Sequence, residues 1–575
     1  MRVDRGSSIT APIRKTGQFI RAITACRPGL ATNKGRFTEW WWIRAGHLVT
    51  VRGTLVPPAC PFLVVTTHIP SASCRDASTS SPSSPPPRKA SLWILALLLG
   101  VVGAVGSGCS RGREARTALT PADSTLPLAA LKQDLDVLRN TIQNVHPAFA
   151  DSMARTDSFR QAVRSLRADL DQPMTPCAFR RRVAPLITAL DDGHTNLGFG
   201  RCVESFTETK RMFPFDVALT DSTATVLRGY RDEASVPPGT RIVAVDGTPV
   251  HTFHDQFLRH IPGARPAFRR QKLEGQSDTF KFFLWHVSEI EAPFNLTVRD
   301  DEGERSVAVD GVPVDTLRAH RTDDDPPSHA YRTLEGRTGL LTVRSFGAPA
   351  SDFDDFLDGT FDRIRRAGME HLLIDVRDNS GGQSGRAEAL LRYLASSPFV
   401  LTDTVAVRAS ETFKTQMKRR IPAAVRWLPL QYLDGRGRAV WGAPEGHIVE
   451  MPGEHVSPHD ADERFDGRVT VLVNEGSFSA ATLFAAAVKE LEIGALVGRE
   501  TGGPVGVMFA EKVPTRLPNS GIGLWVSTMR FQFGDKPPGW PARGVRPGHR
   551  VPRDLPTRAG ETDPILERAR ALDDS

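Results

Sequence analysis

Two serines stand one residue apart in Asn474-Glu-Gly-Ser-Phe-Ser-Ala-Ala-Thr482. The apolar run Val469–Val473 precedes them, and the alanine-rich stretch Leu483–Leu491 follows. A strand, a glycine turn and a helix would place small hydroxyls where the N–H groups of a helix start face outward. A serine there can attack a carbonyl if a base takes its proton and N–H donors hold the oxyanion. The same position also suits a helix cap, whose hydroxyl accepts an N–H bond from the first turn. The pattern alone leaves both readings open for Ser477 and Ser479. Neither serine lies in a Gly-x-Ser-x-Gly elbow. A second glycine turn, Ser380-Gly381-Gly382, follows the apolar run in His371–Val376 and can supply a further N–H.

The elements that must position these turns can be read from periodicity. From about Thr333 strands and helices alternate: Gly339–Phe346, then Phe353–Gly368, then His371–Gly382, then Gly385–Ala395, then the serine unit. Such alternation predicts an α/β fold with a largely parallel sheet and right-handed crossovers. Sites in such sheets lie at the carboxyl ends of the strands, where both glycine turns fall. Upstream, Leu128, Leu131, Leu135, Leu138, Ile142 and Val145 recur at helical spacing. Thr156–Leu170 and Thr175–Leu190 repeat the pattern, with Asp157 and Thr175 as expected N-caps. This predicts a helical bundle over 128–205, ending in the polar loop Asp191–Phe199. Short β runs fill 206–315. Among them, Gly239–Pro249 with the following Phe253–Ile261 resembles the strand, turn and helix of a PDZ domain, a module that captures extended peptides. Leu517–Phe531 alternates like a hairpin strand, with Trp525 and Phe531 expected in the core, and Thr402–Trp427 carries no readable signal.

The formal charge of +7 belongs to the leader. Residues 1–108 hold 13 basic and 3 acidic side chains, and the remainder holds 60 and 63. The body therefore lacks the basic footprint of a nucleic-acid binder, and no nucleic-acid partner is expected. Residues 1–87 show no sustained period and end in a Ser/Pro-rich tract. Arg88-Lys89, the apolar Ala90–Val105 and the small residues before Cys109 read as a secretory signal over 88–108, followed by a tether over 109–127. The approach to Cys109 resembles a bacterial lipoprotein site, although Gly106 stands where a larger aliphatic is usual. It implies lipidation at Cys109 and export to the cell envelope, on the periplasmic or outer surface. The apolar stretch falls short of the roughly 20 residues a spanning helix needs. Of six cysteines, Cys177 and Cys202 lie in the body. Export would permit them to pair, and two free thiols are equally compatible. No cysteine or histidine spacing suggests a metal site.

The helical segment, the PDZ-like stretch, Ile374-Asp-Val-Arg-Asp-Asn-Ser-Gly-Gly382 and Val471–Thr482 occur in the order of the tail-specific, or C-terminal processing, serine protease family, which this chain resembles over Leu128–Val551. The resemblance implies a crotonase-like catalytic core over 333–555. It places the nucleophile on Ser479 and oxyanion donors on Ala480 and on Gly381 or Gly382. The best-known branch takes its base from a lysine about 25 residues on, where this chain has Pro504, and proline accepts no proton. Lys489 and Lys512 do not fit that place. A branch resembling the tricorn core protease draws a histidine from the helical region, and His194 in Leu190–Leu197 matches it. An imidazole suits a general base near neutral pH. The carboxylate expected to orient it downstream is missing from Trp540–Val551, and Glu500 is the substitute candidate. His146, at a helix end, reads as structural, and Asp375 as the partner of an arginine.

The resulting expectation is an exported serine endopeptidase. It would cleave unfolded or C-terminal polypeptide segments through an acyl-enzyme, by a Ser–His rather than a Ser–Lys pair. No cofactor or metal is expected. The partners are a polypeptide substrate and, through Cys109, a membrane surface. The alternative is a non-catalytic lipoprotein carrying an apolar ligand or peptide on the same fold.

Overall fold

Strands buried on both faces and joined by helical crossovers organise the part of the chain that holds both glycine turns. The computed structural model describes residues 37–44, 47–54 and, between 124 and 572, all but 151, 201, 204–205, 207–209, 221, 232–234, 276–278, 301–302, 320–326, 434, 534–542 and 554–562. The signal segment 88–108 and Cys109 lie outside the described residues, as does most of the tether. Among the described residues no helix is long and apolar enough to cross a membrane. Met1–Arg111 forms one unit and Gly112–Ser575 another. In the first, Phe37–Arg44 pairs antiparallel with His47–Thr54, a hairpin in a region where the sequence shows no sustained period.

In the second unit the central sheet runs in the order His329–Thr333, Thr338–Val343, His371–Asp375, Arg468–Val473, Ala495–Gly498, His549–Arg550. Its first pair is antiparallel and the rest are parallel. All five residues of His371–Asp375 are buried, which is why that strand reads as continuous apolar sequence. Helices Ala350–Arg366, Ser384–Arg392 and Ala480–Glu490 share one core with this sheet.

A second, antiparallel sheet runs Ile448–Pro452, Thr404–Arg408, Gly523–Phe533, Gly506–Arg516. Its strand Thr404–Arg408 and the helix Glu411–Arg420 occupy the stretch that gave no sequence signal. Leu524 and Val526 are buried, whereas Trp525 and Phe531 are only half-buried, which corrects the expectation of two core aromatics. Asn196–Leu197 adds to Gly523–Phe533 and so ties the loop after the first helices to this sheet.

Those first helices are Leu128–Val145, Met153–Asp169 and Pro176–Thr188. Leu131, Leu135, Leu138, Ile142 and Val145 are buried on one face, and Leu128 packs at its margin. Thr175 caps its helix by accepting from Ala178 N, with Pro176 in the first turn. For the middle helix the cap is Ser152, which accepts from Arg155 N, and not Asp157, which lies inside the helix. The helices share a core with the second sheet. The wholly buried Asp134 carboxylate closes that sheet's turn by accepting from Asn519 N (2.9 Å) and Ser520 N (2.7 Å).

Between these regions Phe215–Leu219, Ala224–Gly229, Arg241–Val245, Phe294–Asp300 and Gly303–Val309 form an antiparallel sheet. Asp246 and Gly247, both at positive φ, turn Arg241–Val245 back onto Thr248–Pro249. Helices Val250–Leu258, Pro266–Gly275 and Thr279–His286 cover it, the last two unread from sequence. Its core is rich in phenylalanine, including Phe215, Phe253, Phe257 and Phe283.

Cys177 and Cys202 are bonded, which decides between the two states the sequence left open. The bond spans 25 residues and encloses Asp191–Asn196. Closing a loop of that length removes unfolded-state entropy worth about 3.5 kcal/mol. Cys177→Ser should therefore lower the unfolding free energy by roughly 3 kcal/mol in denaturant titration, and adding reductant to that variant should have no further effect.

Candidate active site

The strand Arg468–Val473 delivers the chain into the turn Asn474–Ser477, and the helix Ala480–Glu490 carries it away. Ser477 is wholly buried. Its Oγ donates to Val376 O (2.7 Å) and accepts from Asn474 N (3.2 Å). Asn474 Oδ1 accepts from Asp378 N and Gly476 N, both at 2.9 Å, which binds the two glycine turns together. A Cβ on Gly476 would lie 2.4 Å from Asp378 Oδ1, so only glycine permits this approach. Ser477 is therefore an internal strut of the turn.

Ser479 differs in every respect. It stands at the N-cap with φ 55° and ψ −124°, a conformation that a non-glycine residue rarely adopts, and its hydroxyl caps nothing. Instead its Oγ lies 3.0 Å from His194 Nε2. The opposing turn packs directly against it: a Cβ on Gly381 would fall 2.5 Å from Ser479 Cβ and 3.0 Å from Ala480 N. The Gly381 N–H donates to Asn379 Oδ1 (2.8 Å). Of the sequence-derived oxyanion donors, Ala480 N and Gly382 N make no hydrogen bond among the described residues, whereas Gly381 N is already engaged.

His194 sits in the loop that follows Pro176–Thr188. Its ring packs on Phe478 at 4.7 Å, and Phe478 stacks on Phe268 of the helix Pro266–Gly275 at 4.2 Å. Gly193 makes room for this, since a Cβ there would meet Phe478 Cζ at 2.6 Å. The loop is shaped by Asp192. Its Oδ1 accepts from His194 N (2.8 Å). Its Oδ2 accepts from Thr195 N (3.0 Å), from Ser527 Oγ (2.6 Å) and from His146 Nε2 (3.2 Å). Burial opposes ionisation of Asp192, but the hydrogen bonds and charges of His146 and His194 outweigh it and hold the carboxyl well below its usual range. His146 is wholly buried and linked to this carboxylate, which gives its structural reading a specific partner.

Glu500 does not reach His194. Its Oε1 accepts from Gly544 N (2.7 Å), and its Oε2 pairs with Arg265 Nη2 (3.2 Å) and faces Arg546 Nε (3.7 Å). Nearness in sequence to the glycine turn at Gly502-Gly503 gave no information on the direction of the side chain. The carboxylate beside His194 Nδ1 is Asp192, with Oδ1 at 3.7 Å. Asp191-Asp192-Gly193-His194 held that signal, a carboxylate two residues before the imidazole. Asp375 pairs with Arg377, Oδ2 to Nη2 at 2.7 Å. Lys489 Nζ donates to Arg546 O (3.1 Å). Pro504 lines a cavity of about 150 Å³ beside His194, together with Leu190, Val505, Val507, Met508 and Phe509.

Residues 337–549 match the family described as Peptidase family S41. That segment is similar to an S41 peptidase domain. The matched segment contains Ser479, the glycine turns and the cavity's Pro504–Phe509 side, while His194 and Asp192 lie outside it. Tricorn protease homolog 1 of Streptomyces coelicolor is 26% identical over 288 residues, covering 49% of this chain and 21% of that protein, so this chain spans about a fifth of its relative. Among solved structures, a CPAF point mutant superposes with a TM-score of 0.53 at 16% identity, covering 74% of this chain and 93% of that one. CPAF complexed with lactacystin gives 0.50 at 17% identity, with the same coverage. These structures share the fold of the matched segment and its flanking elements.

Lys272, half-buried one helical turn after Phe268, was not singled out from sequence. Burial pushes its pKa down to about 8. Repulsion from Lys512 adds to this, and Asp192 offsets it in part. The folded state therefore binds fewer protons than the unfolded one between about pH 8 and 10.5, and stability rises with pH across that window. Lys272→Met should raise Tm at pH 7, with the gain shrinking to nothing above about pH 10.5 as calorimetry is repeated up the pH scale.

Proposed function

We propose that this chain is a serine endopeptidase in which Ser479 is the nucleophile and His194 the general base. The single observation behind this reading is the 3.0 Å contact between Ser479 Oγ and His194 Nε2, across 285 residues of sequence. In the reaction, Oγ bonds to the scissile carbonyl carbon as its proton passes to Nε2. The carbonyl oxygen, now an oxyanion, takes hydrogen bonds from Ala480 N and Gly382 N. Collapse of this intermediate breaks the C–N bond, and the imidazolium returns its proton to the leaving amine. Water, deprotonated by the same imidazole, then releases the acyl group. Positive φ at Ser479 supports the role, since it lifts the hydroxyl off the helix start towards the histidine.

In the same reading, the strands and helices over 206–315 act as a PDZ-like module that receives an unfolded or C-terminal peptide segment, and 333–555 acts as a crotonase-like core. Export and lipidation at Cys109 would set the enzyme on the cell envelope. The cavity beside His194 suits an uncharged side chain flanking the scissile bond. Its walls are mostly apolar, Asp191 within it is paired with Arg269 (2.9 Å), and Arg155 donates to Leu190 O. The non-catalytic carrier reading has no observation in its favour, because a carrier needs no strained serine held against an imidazole.

A fluorophosphonate probe should label the wild-type chain and fail to label Ser479→Ala. His194→Ala should fold normally and lower kcat on an unfolded protein substrate by about four orders of magnitude or more. Absence of labelling in wild type would remove the proposal. Peptide-library cleavage should enrich Leu, Met or Phe at one position flanking the cut. Val507→Trp, which fills the cavity, should lower kcat/KM for those peptides at least about tenfold while leaving probe labelling intact.

A further inference from the structure

We propose that Asp192 is the positioning residue for His194: it fixes the imidazole tautomer and holds the positive charge that forms on it, with His146 and Ser527 locking the carboxylate in place. The proposal rests on the Ser479–His194 reading above. Hydrogen-bond accounting carries it. An ionised carboxylate offers about four acceptor sites shared over its two oxygens. Oδ2 is filled by three donors: Thr195 N, Ser527 Oγ and His146 Nε2. Oδ1 accepts one bond, from His194 N, and its remaining capacity faces His194 Nδ1 at 3.7 Å.

Nδ1 is itself a buried ring nitrogen with no hydrogen-bond partner. If Nε2 is to accept from Ser479 Oγ it must be unprotonated, so the neutral ring carries its proton on Nδ1. A buried N–H without an acceptor is destabilising, and among the described residues Asp192 alone offers a carboxylate within 4 Å of that nitrogen. A closure of under 1 Å, of the kind that accompanies substrate binding, completes the bond. His146 supports the arrangement from behind. Ala148 N donates to His146 Nδ1 (3.2 Å), so the His146 proton is on Nε2 and points at Asp192 Oδ2. Ser527 Oγ in turn accepts from Thr195 Oγ1 (3.3 Å) and is thereby oriented to donate to the carboxylate. Asp192 thus takes the place that the family resemblance reserves for a downstream carboxylate and that Glu500 leaves empty.

Other charged groups surround the pair. Lys272 from the helix Pro266–Gly275 lies within electrostatic reach of Asp192, and Lys512 from the strand Gly506–Arg516, which repels Lys272, is directly opposite Ser527 in register. Asp191 is neutralised by Arg269, and Arg155 lies across the cavity. None of these is within ion-pair distance of His194, so removal of Asp192 takes away the one close counter-charge of the imidazolium among the described residues.

The first test uses the wild-type full chain. Histidine labelled with nitrogen-15, with the His194 signals identified by their loss in His194→Ala, should show His194 protonated on Nδ1 at neutral pH and His146 protonated on Nε2. A His194 proton on Nε2 would overturn the proposal without any catalytic variant. The second test is Asp192→Asn. It should still be labelled by the fluorophosphonate probe, more slowly, with kcat lowered about 10³–10⁴-fold and KM little changed. The acidic limb of its kcat/KM profile should move to lower pH, because the imidazolium has lost its counter-charge. Ser527→Ala, which removes one donor and keeps the charge, should leave that limb in place. An Asp192→Asn enzyme with lowered Tm and raised KM but an unmoved pH profile would show a purely structural carboxylate and sink the inference. Failure of wild-type labelling at Ser479 would instead sink the peptidase reading on which the inference stands.

Discussion

One buried carboxylate holds three distant parts of the chain at a single point. Asp192 collects its own loop, the end of the first helix through His146, and the strand Gly523–Phe533 through Ser527. The last of these contacts spans 335 residues. A loop of five polar and small residues has little packing of its own. It keeps one conformation because each donor around it would otherwise be buried without an acceptor. The short pairing of Asn196–Leu197 with Leu524 and Trp525 and the Cys177–Cys202 bond extend the same attachment on either side.

The Ser479 side of the site is governed by steric exclusion rather than by charge. Two turns from parallel strands meet so closely that glycine is required at Gly476 against Asp378 and at Gly381 against Ser479. Asn474 Oδ1 accepting from Asp378 N, Asn474 Nδ2 donating to Asp378 Oδ1 and Asn379 O accepting from Phe478 N fasten these turns to each other. This double constraint forces Ser479 into positive φ, because its flanking residues cannot relax. The stack of Phe268 on Phe478 then joins the middle region of the chain to the residue immediately before the serine.

Much of this was legible in the amino-acid sequence, and the illegible parts have physical causes. The helical face from Leu131 to Val145 and the buried strands either side of the glycine turns declare themselves by period, because burial imposes it. The family resemblance pointed to Ser479 and His194. Side-chain direction was harder to read. Glu500 stands just before the glycine turn at Gly502-Gly503 in sequence, yet Arg265, 235 residues earlier, draws it away. Gly381 and Gly382 look equivalent until Asn379 occupies one N–H. Asp157 reads as a cap because the apolar pattern becomes visible only from Thr156, whereas the helix already begins at Met153, with Ser152 as its cap. Thr404–Arg408 gave no signal because its partners, Ile448–Pro452 and Gly523–Phe533, come later in the chain.

The wide separation of His194, Ser479 and Ser527 along the polypeptide bears on how the molecule comes into being. On the ribosome the imidazole emerges first, the hydroxyl 285 residues later, and the strand that clamps the imidazole's loop later still. A nascent chain holding only the earlier groups has no assembled cutting centre. In the proposed reading, growing chains are protected from digesting one another by the order of synthesis alone, with no inhibitory segment required.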